Sequence, residues 1–573
     1  METRSYRHKS RRPKKTLFAL ISILLLGVLV TFGIGYAKLM PNKQVKEVNT
    51  LPDNAIFINH QFASYSALVD GEVVKLPLSF LNEVLTDNPI YYEPATGTIV
   101  LTATDQVMRF KTESTDALLN EKEYSLTLKA ELFEDEVFIP AELIYEWYQI
   151  QVDLLENGVV HVYDHTQQVQ HAIISNEKGT ALRDEANVKA PLYFTLPAQT
   201  EVYVLEEANP DWYLVQTLDG YNGYVKKSHL ALTELVSWDT LSTKERFTPP
   251  SLDGKKINLT WEAIYNRQPN LATMPSLQGV NVVSPTWFEL INEKGTIQGK
   301  ATHEYMNWAH NKGFHVWALF SNGFDPDWTT EVLSSVETRF EMIKQLVLFA
   351  QTYHFEGINI DFENVYTKDK ENFVQFVREL TPIMHELGLV VSVDVTPKSN
   401  SEMWSAFLDR RALGQVVDYM MVMTYDEHWA ASPVAGSVAS IPWVERSISR
   451  IIEEDEVPST KLVLGIPLYT RVWTEKIQDD GSIKVSSKAI GMEAADNIIA
   501  ERSLTKQYLP EVGQHYVEYE SDEGKHRIWL EDEKSLQNRI EIVHKYNLAG
   551  IATWSRSFQK QSIWKVMDEA LQK

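Results

Sequence analysis

Phe355-Glu356-Gly357-Ile358-Asn359-Ile360-Asp361-Phe362-Glu363-Asn364 is the stretch from which the rest of the 573-residue chain can be read. In an extended strand, alternate side chains point to opposite faces. Ile358, Ile360 and Phe362 then form an apolar face suited to packing under helices, while Asn359, Asp361 and Glu363 project together from the other face. Two carboxylates and an amide are costly in a sealed core, because each needs a partner or water. Two placements relieve that cost. One is an edge strand with solvated acids; the other is the mouth of a barrel, where the same groups become a site.

The flanking sequence bears on the choice. From Lys256 onward, buried-strand runs at 257–261, 280–284, 315–319, 357–362, 389–394, 417–423, 461–466 and 550–554 alternate with helical patterns such as Val336–Tyr353, Lys370–Leu387 and Val444–Asp455. Such alternation implies a parallel sheet with crossover helices, and eight units imply an α/β fold of the (β/α)8 TIM barrel type. The gap between Arg471 and Gln537 is too long for one helix. It holds a hairpin pattern at 516–519 and 526–530, which predicts a small insertion over about 474–535.

Active sites of such barrels lie at the C-terminal ends of the strands. Asp361 and Glu363 end the fourth. Met423-Thr424-Tyr425-Asp426-Glu427-His428-Trp429 ends the sixth, Tyr469-Thr470-Arg471-Val472-Trp473 the seventh, and Trp554 the eighth. Each alone has a packing explanation: Tyr425 as a rim aromatic, Trp554 as a barrel plug. Together, at the right ends of the strands, they point to a site. His428 reads as a hydrogen-bonded rim residue rather than a ligand.

The fourth-strand stretch resembles the D-x-x-D-x-D-x-E signature of glycoside hydrolase family 18, the chitinase-like barrels. Glu363 matches the final acid and Asp361 the acid two before it; Asn359 and Glu356 stand where the family has its other acids. The resemblance implies a substrate-assisted glycosidase. Glu363 would protonate the glycosidic oxygen, and Asp361 would orient the 2-acetamido group of the substrate. Tyr425 would hydrogen-bond that group, Trp554 would floor the subsite, and Asp426 would contact the substrate or hold Tyr425. Asn359, Met423, Glu427, Trp429, Tyr469 and Arg471 complete the expected substrate-binding set. Because Asn359 cannot share a proton with Asp361 as an Asp could, a pH profile different from that of full-motif chitinases is expected. No metal or organic cofactor is required. The family also explains the insertion after the seventh strand, which walls one side of the cleft. The strings around Tyr425 and Tyr469 look most like the bacterial branch of spore-cortex and wall N-acetylglucosaminidases. Peptidoglycan and chitin both carry the necessary N-acetyl group. Related barrels that lose the acid act as lectins, a reading that the presence of Glu363 opposes, and a wall-binding scaffold is a third reading.

Ahead of the barrel, residues 55–165 read as a small α+β module, similar to the copper amine oxidase N-terminal domain, without a His-x-His ligand cluster; His161 and His165 read as surface residues. Residues 168–235 alternate as an all-β unit resembling a bacterial SH3 domain, whose relatives often bind wall peptides, with Trp212 read as core. The barrel is assigned to 250–573 and a polar linker to 38–54. At the N-terminus, a basic block within residues 1–16 (Arg4, Arg7, Lys9, Arg11, Arg12, Lys14 and Lys15) precedes an apolar run over 17–37. A run of roughly 20 apolar residues suits a membrane-spanning anchor with the remainder outside the cytoplasm. A signal cleaved after Gly35-Tyr36-Ala37 is the rival. The formal net charge of −24 argues against nucleic acid as a partner. The absence of cysteine excludes disulfides and thiolate metal sites.

Overall fold

Eight parallel strands close a barrel in the computed structural model: β1 (Ile257–Glu262), β2 (Val282–Leu290), β3 (His315–Ser321), β4 (Gly357–Asp361), β5 (Val390–Val395), β6 (Tyr419–Val422), β7 (Leu462–Pro467) and β8 (Gly550–Trp554). Each pairs with the next, and β8 returns to β1. The seam needs a glycine, because a Cβ on Gly550 would stand 2.0 Å from the carbonyl oxygen of Ile257. The described residues are 14–48, 52–59, 61–155, 157–163, 168–237, 247–265 and 267–573; within 14–39, side chains are described at 18 and 21–32.

The alternation in β4 does what the period of two requires. Ile358, Ile360 and Phe362 face outward into the layer shared with helices α1 (Val336–Tyr353), α2 (Lys370–Glu386) and α3 (Ile441–Glu454). Phe362 stacks on Phe373 and Phe376 of α2, at 5.2 and 5.8 Å between ring centres. The barrel interior is a separate cluster that includes Trp261, Trp317, Leu319, Met421 and Ala552. Between α1 and α2, Arg339 and Glu379 form a fully buried two-pronged ion pair at 2.7 Å, with Gln375 donating to Glu379 at 3.0 Å.

The insertion begins earlier than its hydrophobic pattern suggests. Tyr469–Ile477 pairs antiparallel with Ile483–Gly491 and with Gly524–Leu530, in a five-stranded sheet that also holds Gln514–Ser521 and Gln507–Leu509. Tyr469 to Trp473 therefore belong to this sheet and not to the end of the seventh barrel strand. β7 stops at Pro467, where the Leu468 N–H donates to the Trp554 carbonyl and the chain turns out of the barrel.

The described residues divide into two compact units, one from 1–83 and 130–242, the other from 84–129 and 243–573. Residues 84–129, expected within one module at 55–165, pack instead with the barrel. Their five-stranded sheet brings Val100 and Val107 into the outer helical core. Glu93 accepts the Val336 N–H at the start of α1 (2.8 Å), and Arg109 lies over the Phe340 ring, held by Glu121.

The other unit contains two four-stranded sheets and a seven-stranded sheet over Gln168–Ser237. His161, expected at the surface, is buried: its ring stacks on Phe57, and its Nδ1 lies 2.8 Å from the Tyr163 hydroxyl. His165 falls outside the described residues. Trp212 is buried. In the expected linker, the Asn42 N–H donates to the Val188 carbonyl and Val45 bridges Leu192, because the strand at Leu192–Leu196 leaves an edge to pair with.

Lys14–Leu39 is a helix, yet among the described residues no helix is long and apolar enough to cross a membrane. The expected membrane anchor is therefore unsupported; within the 17–37 run the side chains at 17, 19, 20 and 33–37 lie outside the described set, as do those of the basic segment before it.

The Arg339–Glu379 pair yields a prediction. Removing one partner of a buried pair leaves an uncompensated charge, so Glu379→Ala is expected to lower the unfolding free energy by about 3–5 kcal/mol. Urea denaturation checks it, and a loss under about 1 kcal/mol would show that the pair bears little on stability.

Candidate active site

At the C-terminal mouth of the barrel lies a cavity of about 1040 Å³. Asp361 reaches it from the last position of β4 and Glu363 from just beyond, so the pair stays on one side of the opening. Met423, Tyr425, Asp426, Glu427 and Trp429 line it from the loop after β6. Tyr469 and Arg471 line it from the first strand of the insertion, and Trp554 from the end of β8. Trp554 sets its ring edge-on to Trp261, with ring centres 6.0 Å apart.

Three expected contacts take a different form. Asn359 is fully buried one layer beneath the lining, where it cannot touch a ligand. Its Oδ1 accepts from Trp261 Nε1 (2.9 Å) and Ser284 Oγ (3.3 Å), and its Nδ2 donates to Ser392 Oγ (3.2 Å) and Asp394 Oδ1 (2.7 Å). Asp426 does not hold Tyr425. It accepts from the Tyr469 hydroxyl (2.7 Å) and Arg471 Nη2 (3.2 Å), while Tyr425 meets Tyr469 edge-on. Glu427 lines the cavity, but its carboxylate is engaged: it accepts the Ser440 N–H (2.7 Å) and hydroxyl (3.0 Å) at the start of α3. His428 is tied to the rim by its Nδ1, 2.7 Å from the Ser437 carbonyl oxygen, and Trp429 is exposed.

The electrostatics follow from a shortage of counter-charge. The lining cations are Lys300, Lys398 and Arg471, and each is paired elsewhere: with Glu289, with Glu454 and Asp455, and with Asp426. Burial pushes Asp361 up to about 7. Burial first, then the charges of Asp361 and Asp426, push Glu363 up to about 8. Burial likewise holds the Tyr425 hydroxyl well above its ordinary range. A carboxyl that keeps its proton near neutrality is equipped to act as a general acid.

Sequence reasoning missed Asp394. The parallel register of the adjacent strands β4 and β5, with Ile360 beside Val393, places it next to Asp361, and it lines the same cavity. Burial and then the Asp361 charge raise it well above the usual carboxylate range. Its position at the end of the fifth apolar run was the available signal. Trp404 and Trp443, which also line the cavity, sit in helical or irregular segments that carried no such mark.

The sequence model of glycosyl hydrolases family 18 matches residues 272–559, just over half of the chain. Bacterial SH3 and copper amine oxidase N-terminal domain models match 178–231 and 57–162. The chain is 28% identical over 287 residues to the uncharacterized glycosylase YvbX of Bacillus subtilis, covering 48% of this chain and 80% of that protein. It is 26% identical over 255 residues to the cortical fragment-lytic enzyme of B. subtilis, covering 44% and 58%. The match thus spans little more than half of the cortical enzyme. The solved spore cortex-lytic enzyme SleL of Bacillus megaterium is 22% identical, covering 58% of this chain and 79% of that one at a TM-score of 0.49.

Raised acids make stability depend on pH. The folded value of Glu363, about 8, lies above its ordinary 4.5, so its contribution is complete below about 4.5 and is lost as pH rises through about 8. Glu363→Gln removes that loss. Its melting temperature relative to the wild type is expected to climb between pH 5 and pH 8 and then level off; a difference that stays flat with pH would show that Glu363 is not held protonated.

Proposed function

The chain belongs to glycosyl hydrolases family 18, and we propose that this glycoside hydrolase cleaves β-1,4 bonds next to N-acetylglucosamine in peptidoglycan by a substrate-assisted retaining mechanism. The observation that carries the mechanism is the employment of the carboxylates. Two-carboxylate glycosidases place one acid on each side of the sugar. Here Asp361 and Glu363 share one strand end with Asp394 beside them, and the other carboxylates lining the cavity are engaged: Glu289 with Lys300, Asp426 with Tyr469 and Arg471, Glu427 with Ser440. The 2-acetamido oxygen of the substrate is left as the nucleophile.

In this scheme Glu363 gives its proton to the glycosidic oxygen as the bond from that oxygen to the anomeric carbon breaks. The acetamido oxygen bonds to the anomeric carbon and forms an oxazolinium ion. Asp361 orients the acetamido nitrogen and offsets the positive charge, and the Tyr425 hydroxyl holds the acetamido group in line. Water then opens the ion at the anomeric carbon and returns a proton to Glu363. Two attacks on opposite faces retain the configuration.

The choice of peptidoglycan is supported by the SH3-type match and by the likeness to a cortical fragment-lytic enzyme, and it implies action outside the cytoplasm.

Mass spectrometry of the products from purified peptidoglycan tests the reading. Fragments ending in reducing N-acetylglucosamine are expected from the full chain, with Glu363→Gln slower by at least about a hundredfold. Cleavage of chitin oligomers with intact peptidoglycan would overturn the substrate. Equal turnover by the variant would overturn the acid.

A further inference from the structure

Glu363 lies past the point where β4 has strand neighbours. The last pair across to β3 is Ser321 with Asp361, so the Glu363 N–H and carbonyl have no ladder partner. Both are taken by one side chain. Asn322 Oδ1 accepts the Glu363 N–H (3.1 Å), and Asn322 Nδ2 donates to the Glu363 carbonyl (2.8 Å). An amide offers one acceptor and two donors on a single plane, which is what a neighbouring strand would have offered.

The orientation of that amide is settled by its surroundings. Asn322 is fully buried, and its Nδ2 also lies 2.9 Å from the Thr329 hydroxyl, which is buried as well. The Thr329 hydroxyl donates its proton to the Asp325 carbonyl (2.6 Å), so it can only accept from Asn322. Asn322 must therefore turn its NH2 toward Thr329 and its oxygen toward the Glu363 N–H. Thr329 is itself anchored on the helix Pro326–Ser334, whose first turn is capped by Asp325. A second brace ties the same two loops together: Asn364 Nδ2 donates to the Phe324 carbonyl at 2.9 Å, and both residues adopt left-handed backbone, at φ 56° each.

We infer that Asn322 is the positioning residue of the catalytic acid, fixing the main chain of Glu363 so that its carboxyl stays in the cavity beside Asp361. The inference rests on the role of Glu363 as acid. Asn322 does not line the cavity and acts only through Glu363. The chain Asp325–Thr329–Asn322–Glu363 makes the loop after β3 the template for the loop after β4. A loop free to drift by about 1 Å can cost about a hundredfold in rate. It would also let water reach the carboxyl and relieve the burial that keeps it protonated.

Steady-state kinetics of the full chain on soluble peptidoglycan glycan strands and on N-acetylglucosamine tetramer, over pH 5–9, tests this. Asn322→Ala is expected to lower kcat by about ten- to a hundredfold with KM within about threefold, and to move the alkaline limb of kcat to lower pH. Thr329→Val removes the hydroxyl that orients the amide at nearly constant volume. It is expected to shift both readouts in the same direction by less, and it decides the matter if Asn322→Ala fails to fold. A folded variant with wild-type kcat and an unmoved alkaline limb, or with a lower melting temperature as its only change, would overturn the inference. Glu363→Gln is measured in parallel. If it is inactive while Asn322→Ala behaves as wild type, only the positioning role fails; if it retains turnover, the acid assignment fails.

Discussion

Three carboxyl groups crowd the mouth of this barrel, and among the described residues no cation pairs with any of them. Asp361 and Glu363 leave one strand two residues apart, and Asp394 stands beside Asp361 on the next strand. Asp361 and Glu363 cannot retreat from each other, because Phe362 between them is locked into the helical layer by Phe373 and Phe376. Like charges in so little water are held off by protons instead of by lysines or arginines. That turns a packing constraint into chemistry: a site that retains protons near neutrality has an acid ready to spend one on a leaving group.

The layer beneath shows why an amide sits at position 359. Trp261 and Ser284 present donors from one side, and Asp394 requires a donor from the other. An amide accepts and donates at once; an ionised carboxylate there would accept only and would add a fourth acid to the cluster. Asn359 thus joins the interior of the barrel to its mouth. The same logic recurs at Asn322, where one amide replaces the missing strand partner of Glu363. In both places a neutral side chain with two kinds of polar atom does what a charged one could not do without deepening the repulsion.

The barrel was legible because its signal is periodic and local. All eight strand runs overlap a barrel strand, although the second extends on to Leu290, and the helices near 336–353, 370–387 and 444–455 fall close to where apolar spacing put them, since burial on both faces leaves little choice of residue. Asp361 and Glu363 stood out because acids at the end of such a run have no packing explanation as a pair. What escaped was the pairing of polar groups across distant segments. Nothing near Glu427 says that its carboxylate will meet Ser440, and nothing near Tyr469 says that the chain has already left the barrel for an antiparallel sheet. Such partners are chosen in space. His161 failed for the same reason: a histidine between apolar residues reads as exposed until Phe57 and Tyr163 are found around it.

Sequence continuity and compactness disagree most over residues 57–162. The stretch matches one domain family from end to end, yet residues 84–129 share their core with the catalytic barrel. Their contribution is specific. Val100 and Val107 fill the outer helical layer, Glu93 takes up an N–H at the open start of α1, and Arg109 covers Phe340 on the same helix. One turn of α1 separates the Glu93 cap from Arg339, which pairs with Glu379 on α2, and α2 is the helix that stacks under Phe362. The line of contact runs without a gap from the inserted sheet to the strand that carries the acids. Apolar side chains and an N-terminal helix dipole left bare by the loss of 84–129 would have no other cover among the described residues, so this segment is part of the catalytic unit by packing even though its sequence belongs to the module before it.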